Sequence, residues 1–478
     1  MKLDGTDVEK TILHAEDILN SDRTLSPSVK VVLSLLLVLI KSLLDRKNLN
    51  SRNSSKPPST DVNTKNKNND SDTTNKNSRG GQVGSKGITL TQVNSPDVIV
   101  EIPVDRDKLP DGNYEVLEIQ KRQVVEIEIN KIVTEYQVEV LINTLTGKVY
   151  TADFPDNVSK AVQYGEVVKG HAVYMSQAQL IPYQRVQDFF AGQMNIPLSV
   201  GSIYNFNRQA YDALADFEAI SKQKLIEASL AHVDETGINI AGDKHWLHVT
   251  SNESWTFYYP HQKRGTEAMN DIDILPHFKG VLCHDHWKPY YFYTDCQHSL
   301  CNAHHLRELT RAWEQDNQVW AKEMLEFLVD INGKVKGFTD WSDKTNAIKY
   351  RKAYREILWK GNIECPGPTE ADRIHKRGRI KRSKGRNLLE RLTNFEDDVL
   401  RFMEEKEVPF TNNLGERDIR MTKVHQKISG CFQSELGAKI FCRIRGYLSS
   451  CRKHGVNSSD AMILLFKGEL PDFAKKSE

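Results

Sequence analysis

The sequence predicts an α/β protein, a mixed strand-and-helix core preceded by smaller helical and β modules. Three observations carry that expectation. Apolar and polar residues alternate through a series of short stretches between 230 and 293, as half-buried strands require. Helix caps and breakers bracket longer stretches of helical spacing on both sides of that series. A run of Asn, Ser, Lys, Thr and Asp from 48 to about 87 separates an apolar N-terminal helix from the rest of the chain.

Length and charge narrow the classes. The 478 residues allow roughly three domains at about 150 residues each, and a formal net charge of +1 means that any nucleic-acid surface must be sought locally. All seven cysteines lie at or after Cys283, which gives no disulfide framework and fits a reducing cytoplasm. The most apolar run, VVLSLLLVLI at 31–40, is about half the roughly 20 residues a bilayer span needs. Neither a membrane span nor an export signal is expected.

In segment 1–47, Ser26 and Pro27 open a helix as cap and first helical residue. That helix is apolar almost all round, so it is expected to bury itself against another helix, from this chain or from a second copy. Segment 48–95 has too little apolar surface to offset its ordering entropy and reads as a disordered tether. Segment 96–165 shows period two, as in QVVEIEI, with Thr146-Gly147 as a hairpin turn, and is expected to be a small β module. In segment 166–228, YQRVQDFFAGQMNIPLSVGSIYNFNRQAYDAL reads as a helix, a break at Gly192, a turn through Pro197 and a second helix capped by Ser199 or Ser202. This is helix-turn-helix spacing, in which Ser202, Tyr204, Asn205 and Arg208 turn toward DNA. An ordinary helical hairpin has the same signature.

Segment 229–312 begins the core. Its candidate strands are LAHVDETGINI, KHWLHVTSN and WTFYYPHQ, then, after a helical stretch, KGVLCHDHWKPYYFY. Asp234 and Asp285 each stand where an apolar run gives way to polar residues. If their strands are neighbours, the two carboxylates lie side by side and repel unless a cation sits between them. Glu235 is expected on the opposite face, because side chains alternate along a strand. A third carboxylate, Glu416, sits in the first turns of a helix opened by Asn412 or Asn413, with Arg420, Lys423 and Lys427 on its face. Asp285 lies 51 residues beyond Asp234, and Glu416 lies 131 beyond Asp285. A large segment, 313–395, therefore separates the first part of the core from the second, 396–466, which is succeeded by a short tail, 467–478.

Four stretches then carry a resemblance: NSRNSSKPPSTD at 50–61, HVDETG at 232–237, CNAHHLREL at 301–309 and NNLGERDIR at 412–420. Together they resemble the insertion-sequence-66 transposases, a DDE-class family with an RNase H-like catalytic domain, over about residues 26–466. The resemblance implies Asp234, Asp285 and Glu416 as catalytic triad and metal ligands, with a mostly helical insertion between the last two. It implies double-stranded DNA as partner, a homo-oligomer, small accessory proteins, and a bacterial, nucleoid-associated location. One departure is plain. Such transposases commonly carry a cysteine-rich zinc module after the tether, whereas 96–165 here has no cysteine and cannot form a thiolate zinc site.

Three carboxylates suit Mg²⁺ or Mn²⁺, and two such ions about 4 Å apart activate a nucleophile and stabilise a leaving oxygen. Arg417, Arg420 and Lys423 are the nearest cations in sequence to meet the developing charge. ADRIHKRGRIKRSKGRNLLER at 371–391 is the local basic patch, with Arg377, Arg379, Lys381, Arg382, Lys384 and Arg386 expected to meet DNA backbone. Cys296, Cys301, His304 and His305 make a C-x4-C-x2-H-H cluster that could bind zinc, though buried packing is the simpler reading. His284 and His286 flank Asp285 and could orient a ligand or merely stay polar beside the site, while Trp287, Pro289 and Tyr290 are expected to wall the site or stack on a base. The expected activity is binding of an insertion sequence's terminal repeats with DNA cleavage and strand transfer. Its rivals are an inactive transposase-derived DNA-binding protein and a metal-dependent nuclease that cuts without joining.

Overall fold

The structure, a computed structural model, describes residues 2–3, 6–21, 24–48, 53–54, 89–338, 341, 344–369, 380 and 382–475. A short pairing of β1 (Lys2–Leu3) with β2 (Thr6–Asp7) precedes α1 (Val8–Ser21) and α2 (Pro27–Asn48). Ser26 and Pro27 start α2 as the sequence suggests, and Lys41 of α2 pairs with Glu16 of α1 at 2.5 Å. The far side of α2 still presents Val31, Leu35, Val38 and Leu43 to solvent. No described helix is long and apolar enough to cross a membrane.

Most of the expected tether lies outside the described residues. Asn53 is an exception to a free tether: it is 3% exposed and donates to Glu314 at 3.4 Å. The β module is smaller than its alternation suggests. Only β3 (Val140–Ile142) and β4 (Val149–Thr151) pair, across a turn in which Gly147 takes φ +70°. Residues 98–139 form no strand, and Ile102, Leu117 and Ile127 are more than 80% exposed. Alternation marks a surface able to join a sheet, but a strand needs a partner and a covering layer, and among the described residues both are missing.

Next come α3 (Glu166–Val173), extended by a π-helical turn, α4 (Tyr183–Met194), α5 (Val200–Ala213) and α6 (Ala215–Ile226). Gly192 does not break α4. The break falls at Asn195, which caps the helix in the left-handed region at φ 51°. Ser199, not Ser202, caps α5, accepting from the Ser202 amide at 3.0 Å.

The core sheet has five strands in the order β7-β6-β5-β8-β9. β5 (Leu230–Ile240), β6 (Asp243–Ser251) and β7 (Thr256–His261) form an antiparallel meander. After α7 (Thr266–Ile272), β8 (Val281–His284) returns parallel to β5, and β9 (Gln297–Leu300) adds parallel to β8. At Gly280 a Cβ would come within 2.4 Å of the Ser229 carbonyl, so only glycine lets the β8 backbone enter beside β5.

α8 (Asn302–Asp316) crosses the expected boundary at 312 and joins α9 (Val319–Val335), α10 (Thr345–Glu364), α11 (Lys384–Asn394) and α12 (Glu396–Leu400) in a helical subdomain. Its core is built on Trp320, Met324, Tyr354 and Leu389. The chain then returns to the sheet as α13 (Asn413–Ser429), α14 (Glu435–Lys453) and α15 (Ser458–Phe466). α14 is buried nearly all round. Phe441 and Cys442 pack with Ile238, Leu247 and Val249 of the sheet, while Ile444, Tyr447 and Leu448 pack with Phe206 of α5 and Phe217 of α6. Helices α5 and α6 are thereby fixed to the sheet through α14.

Candidate active site

Register brings the first two carboxylates together. Parallel pairing sets Leu230 beside Val281 and His232 beside Cys283; continued by two residues, it sets Asp234 beside Asp285. Even-numbered residues of β5 face α13 and α14, as the packing of Ile238 and Ile240 with Ile419 and Phe441 shows. Asp234 therefore points to the face where α13 lies.

α13 is pinned there by its first residues. Asn412 is buried; its amide donates to the Val233 carbonyl at 2.8 Å, its carbonyl oxygen lies 2.7 Å from His232 Nδ1, and its backbone N–H donates to Cys301 Sγ at 3.2 Å. Further along, Asp418 binds Lys453 at 2.7 Å and its carbonyl accepts from Tyr258 at 2.8 Å. One turn after Asn412, Glu416 lies 3.7 Å from both Cys301 Sγ and His304 Nδ1.

The electrostatics agree with this convergence. Burial, then the charges of Glu235 and Asp285, and finally that of Glu416, push Asp234 up to about 8, against a single opposing hydrogen bond from the Glu235 amide. Asp285 accepts from the Trp287 amide at 3.0 Å. Lys423 donates to the Gly237 carbonyl at 3.0 Å and feels the charge of Asp234, although burial lowers its pKa. Arg391, which is paired with Glu308, also feels the charge of Asp285, and burial lowers its pKa. Among the described residues, Asp234 thus has carboxylates near it with no cation bound to it directly, while the Cys301 thiol and the His304 imidazole stand beside Glu416.

Glu235 occupies the other face, as alternation requires. Arg264 binds it at 2.5 Å and Tyr290 donates to it at 2.5 Å, while the guanidinium lies 4.7 Å from the Trp246 ring and 4.1 Å from the Trp287 ring. Tyr290 is buried and bonded to Glu235, which leaves the wall as its expected role and not stacking on a base. His284 also turns inward, 3.1 Å from His298, so it does not orient a ligand beside Asp285.

The expected cysteine-histidine cluster separates. Cys296 donates to the Tyr293 carbonyl at 3.3 Å and His305 meets Asn302 at 3.0 Å, leaving Cys301 and His304 beside Glu416. Burial pushes the Cys301 thiol up to about 11 and the His304 imidazole down.

The expected DNA-facing residues divide as well. On α5, Tyr204, Asn205 and Arg208 are exposed, with Arg208 paired to Asp212, while the Ser202 hydroxyl is 2.9 Å from Ser199 in the cap. Arg417, Arg420 and Lys423 are exposed on α13. Of the basic patch, Arg377, Arg379 and Lys381 lie outside the described residues. Lys384 is exposed, whereas Arg382 and Arg386 are bound by Glu390. Arg264 and Arg391 escaped sequence reasoning, and Asn412 was expected only as a helix cap, not as the residue that ties α13 to β5 and Cys301. The Trp-rich strand ends around Arg264 were the available signal for that residue, and the position one turn before Glu416 for Asn412.

A mixed five-stranded sheet packed against helices defines an α/β protein. Residues 161–440, more than half of the chain, match the transposase IS66 family, and the chain belongs to that family. Residues 21–91 match a family of unknown function, DUF6444. No match to a curated protein was found.

Proposed function

We propose that the protein is a DNA transposase whose sheet and α13 form an RNase H-like catalytic domain, with Asp234, Asp285 and Glu416 as its carboxylate triad. The observation that carries this reading is the pairing of β5 with β8, which sets Asp234 beside Asp285 on the face covered by α13. These three carboxylates would hold Mg²⁺ or Mn²⁺, whose chemistry there would be to activate a water and to neutralise charge on the leaving oxygen.

The chain's own groups do the rest. Asp234 stands on β5, Asp285 directly follows β8, and Glu416 stands on a helix fixed by Asn412 and Asp418, so each carboxylate is carried by a firmly held part of the fold. Lys423, Arg420 and Arg417 line the exposed side of α13, where they meet non-bridging phosphate oxygens. Water attack on a phosphodiester at an element end breaks the bond to the 3′ oxygen. The freed 3′-hydroxyl then attacks target DNA and displaces a target 3′ oxygen. Tyr204, Asn205 and Arg208 on α5 contact the terminal repeats, and Lys384 of the insertion adds a phosphate contact.

The test is strand transfer in vitro, using labelled DNA from the ends of the encoding element with Mg²⁺ or Mn²⁺ and comparing wild type with Asp234→Ala. Joined product from wild type alone is expected. Equal product from both overturns the triad; wild-type cleavage without joining replaces a transposase with a nuclease.

A further inference from the structure

We propose that Cys301, His304 and Glu416 form a second metal site, for a thiophilic divalent cation of the zinc and cobalt class, sharing Glu416 with the carboxylate cluster. Their ligand atoms all lie within 4.8 Å of one another, the one such grouping among the described residues. Cys301 Sγ and His304 Nδ1 each stand 3.7 Å from Glu416 Oε1. For nitrogen and oxygen that separation is too long for a hydrogen bond. It is the right separation for ligands of one ion, since atoms about 2.0–2.3 Å from a tetrahedral centre are roughly 3.3–3.8 Å apart.

Two further features suit this use. His304 Nδ1 is buried with no hydrogen-bond partner, a polar atom left without the interaction that burial demands. Cys301 Sγ already accepts the Asn412 N–H at 3.2 Å, the kind of outer contact that steadies a metal thiolate. Cys301 is the cap residue of α8 and His304 stands in its first turn, so both are held by one rigid helix start. Sulfur, imidazole nitrogen and one carboxylate oxygen select a softer ion than the three-carboxylate set does. On binding, the thiol proton leaves to solvent and a fourth position stays open to water.

Sharing Glu416 has a consequence. An ion held by Cys301 and His304 takes a carboxylate oxygen that the neighbouring cluster also needs, so the two occupancies are coupled.

The test is Co²⁺ titration of the full chain after chelator treatment, read by absorbance. Wild type is expected to show a sulfur-to-cobalt charge-transfer band saturating at one equivalent. Cys301→Ser removes the band, His304→Ala weakens binding at least tenfold, and Asp234→Asn and Cys283→Ala retain the band. Should Cys301→Ser fail to fold, Glu416→Gln and His304→Ala make the same test. Absence of the band in wild type, its survival in Cys301→Ser, or its loss in Asp234→Asn overturns the site. None of these readings depends on transposition, so the metal site and the transposase reading stand or fall separately.

Discussion

Asp234 and Glu235 are neighbours on one strand with opposite surroundings. Glu235 has a guanidinium and a phenol committed to it, and the guanidinium is itself held between two indole rings. Asp234 has one backbone amide and three other carboxylates whose charges repel it. The difference separates a paired charge from an unpaired one: the carboxylate of Glu235 is met by partners that hold the fold, and that of Asp234 is left beside other carboxylates, as the proposed cation site requires. Alternation along the strand delivers the pair to opposite faces, and packing of α13 against one face decides which is which.

Several substitutions probe that contrast. Asp234→Asn is expected to lower strand transfer at least roughly a thousandfold while leaving the fold intact, measured as joined product per unit time. Arg264→Ala leaves the Glu235 side chain, 2% exposed, without its cation. Its expected cost is about 3 kcal/mol by denaturant unfolding, the low end for breaking a buried pair because the Arg264 side chain is 38% exposed. A stability change near zero would make Glu235 as free as Asp234 and erase the contrast.

The pH dependence has a definite sign. Asp234 is held at about 8 against an ordinary 3.8, chiefly by burial, so between those values the native state keeps a proton that the unfolded chain has lost. This group's contribution to stability therefore falls as pH rises from about 4 to about 8 in metal-free protein. Unfolding in chelator at pH 5 and pH 8 is expected to show a larger loss for wild type than for Asp234→Asn; identical losses would contradict the assignment. The smallest effect belongs to Trp287→Leu, which removes one ring from Arg264 and costs about 1 kcal/mol without altering metal binding.

Much of this arrangement was legible in the sequence. Alternation placed four of the five core strands, and the points where apolar runs end marked Asp234 and Asp285. The fifth strand, Gln297–Leu300, was missed because it is four residues long and carries His298 and Ser299. Alternation misled at 98–139, where no partner strand exists among the described residues to complete it. The Arg386–Glu390 pair is an i,i+4 contact that helical spacing could have shown, whereas Arg382 reaches the same Glu390 only because the chain before α11 lies against that helix. Spacing alone could not tell that Cys301 and His304 meet Glu416 rather than Cys296 and His305. That meeting requires α13 to return across the insertion.

The most direct measurement is Mn²⁺ binding by electron paramagnetic resonance, comparing wild type, Asp234→Asn and Glu235→Gln, each checked for intact fold by circular dichroism. Wild type and Glu235→Gln are expected to deplete the free Mn²⁺ signal equally, with Asp234→Asn weakened at least tenfold. Undiminished binding by Asp234→Asn together with loss in Glu235→Gln would place the cation on the other face of the sheet and contradict the account.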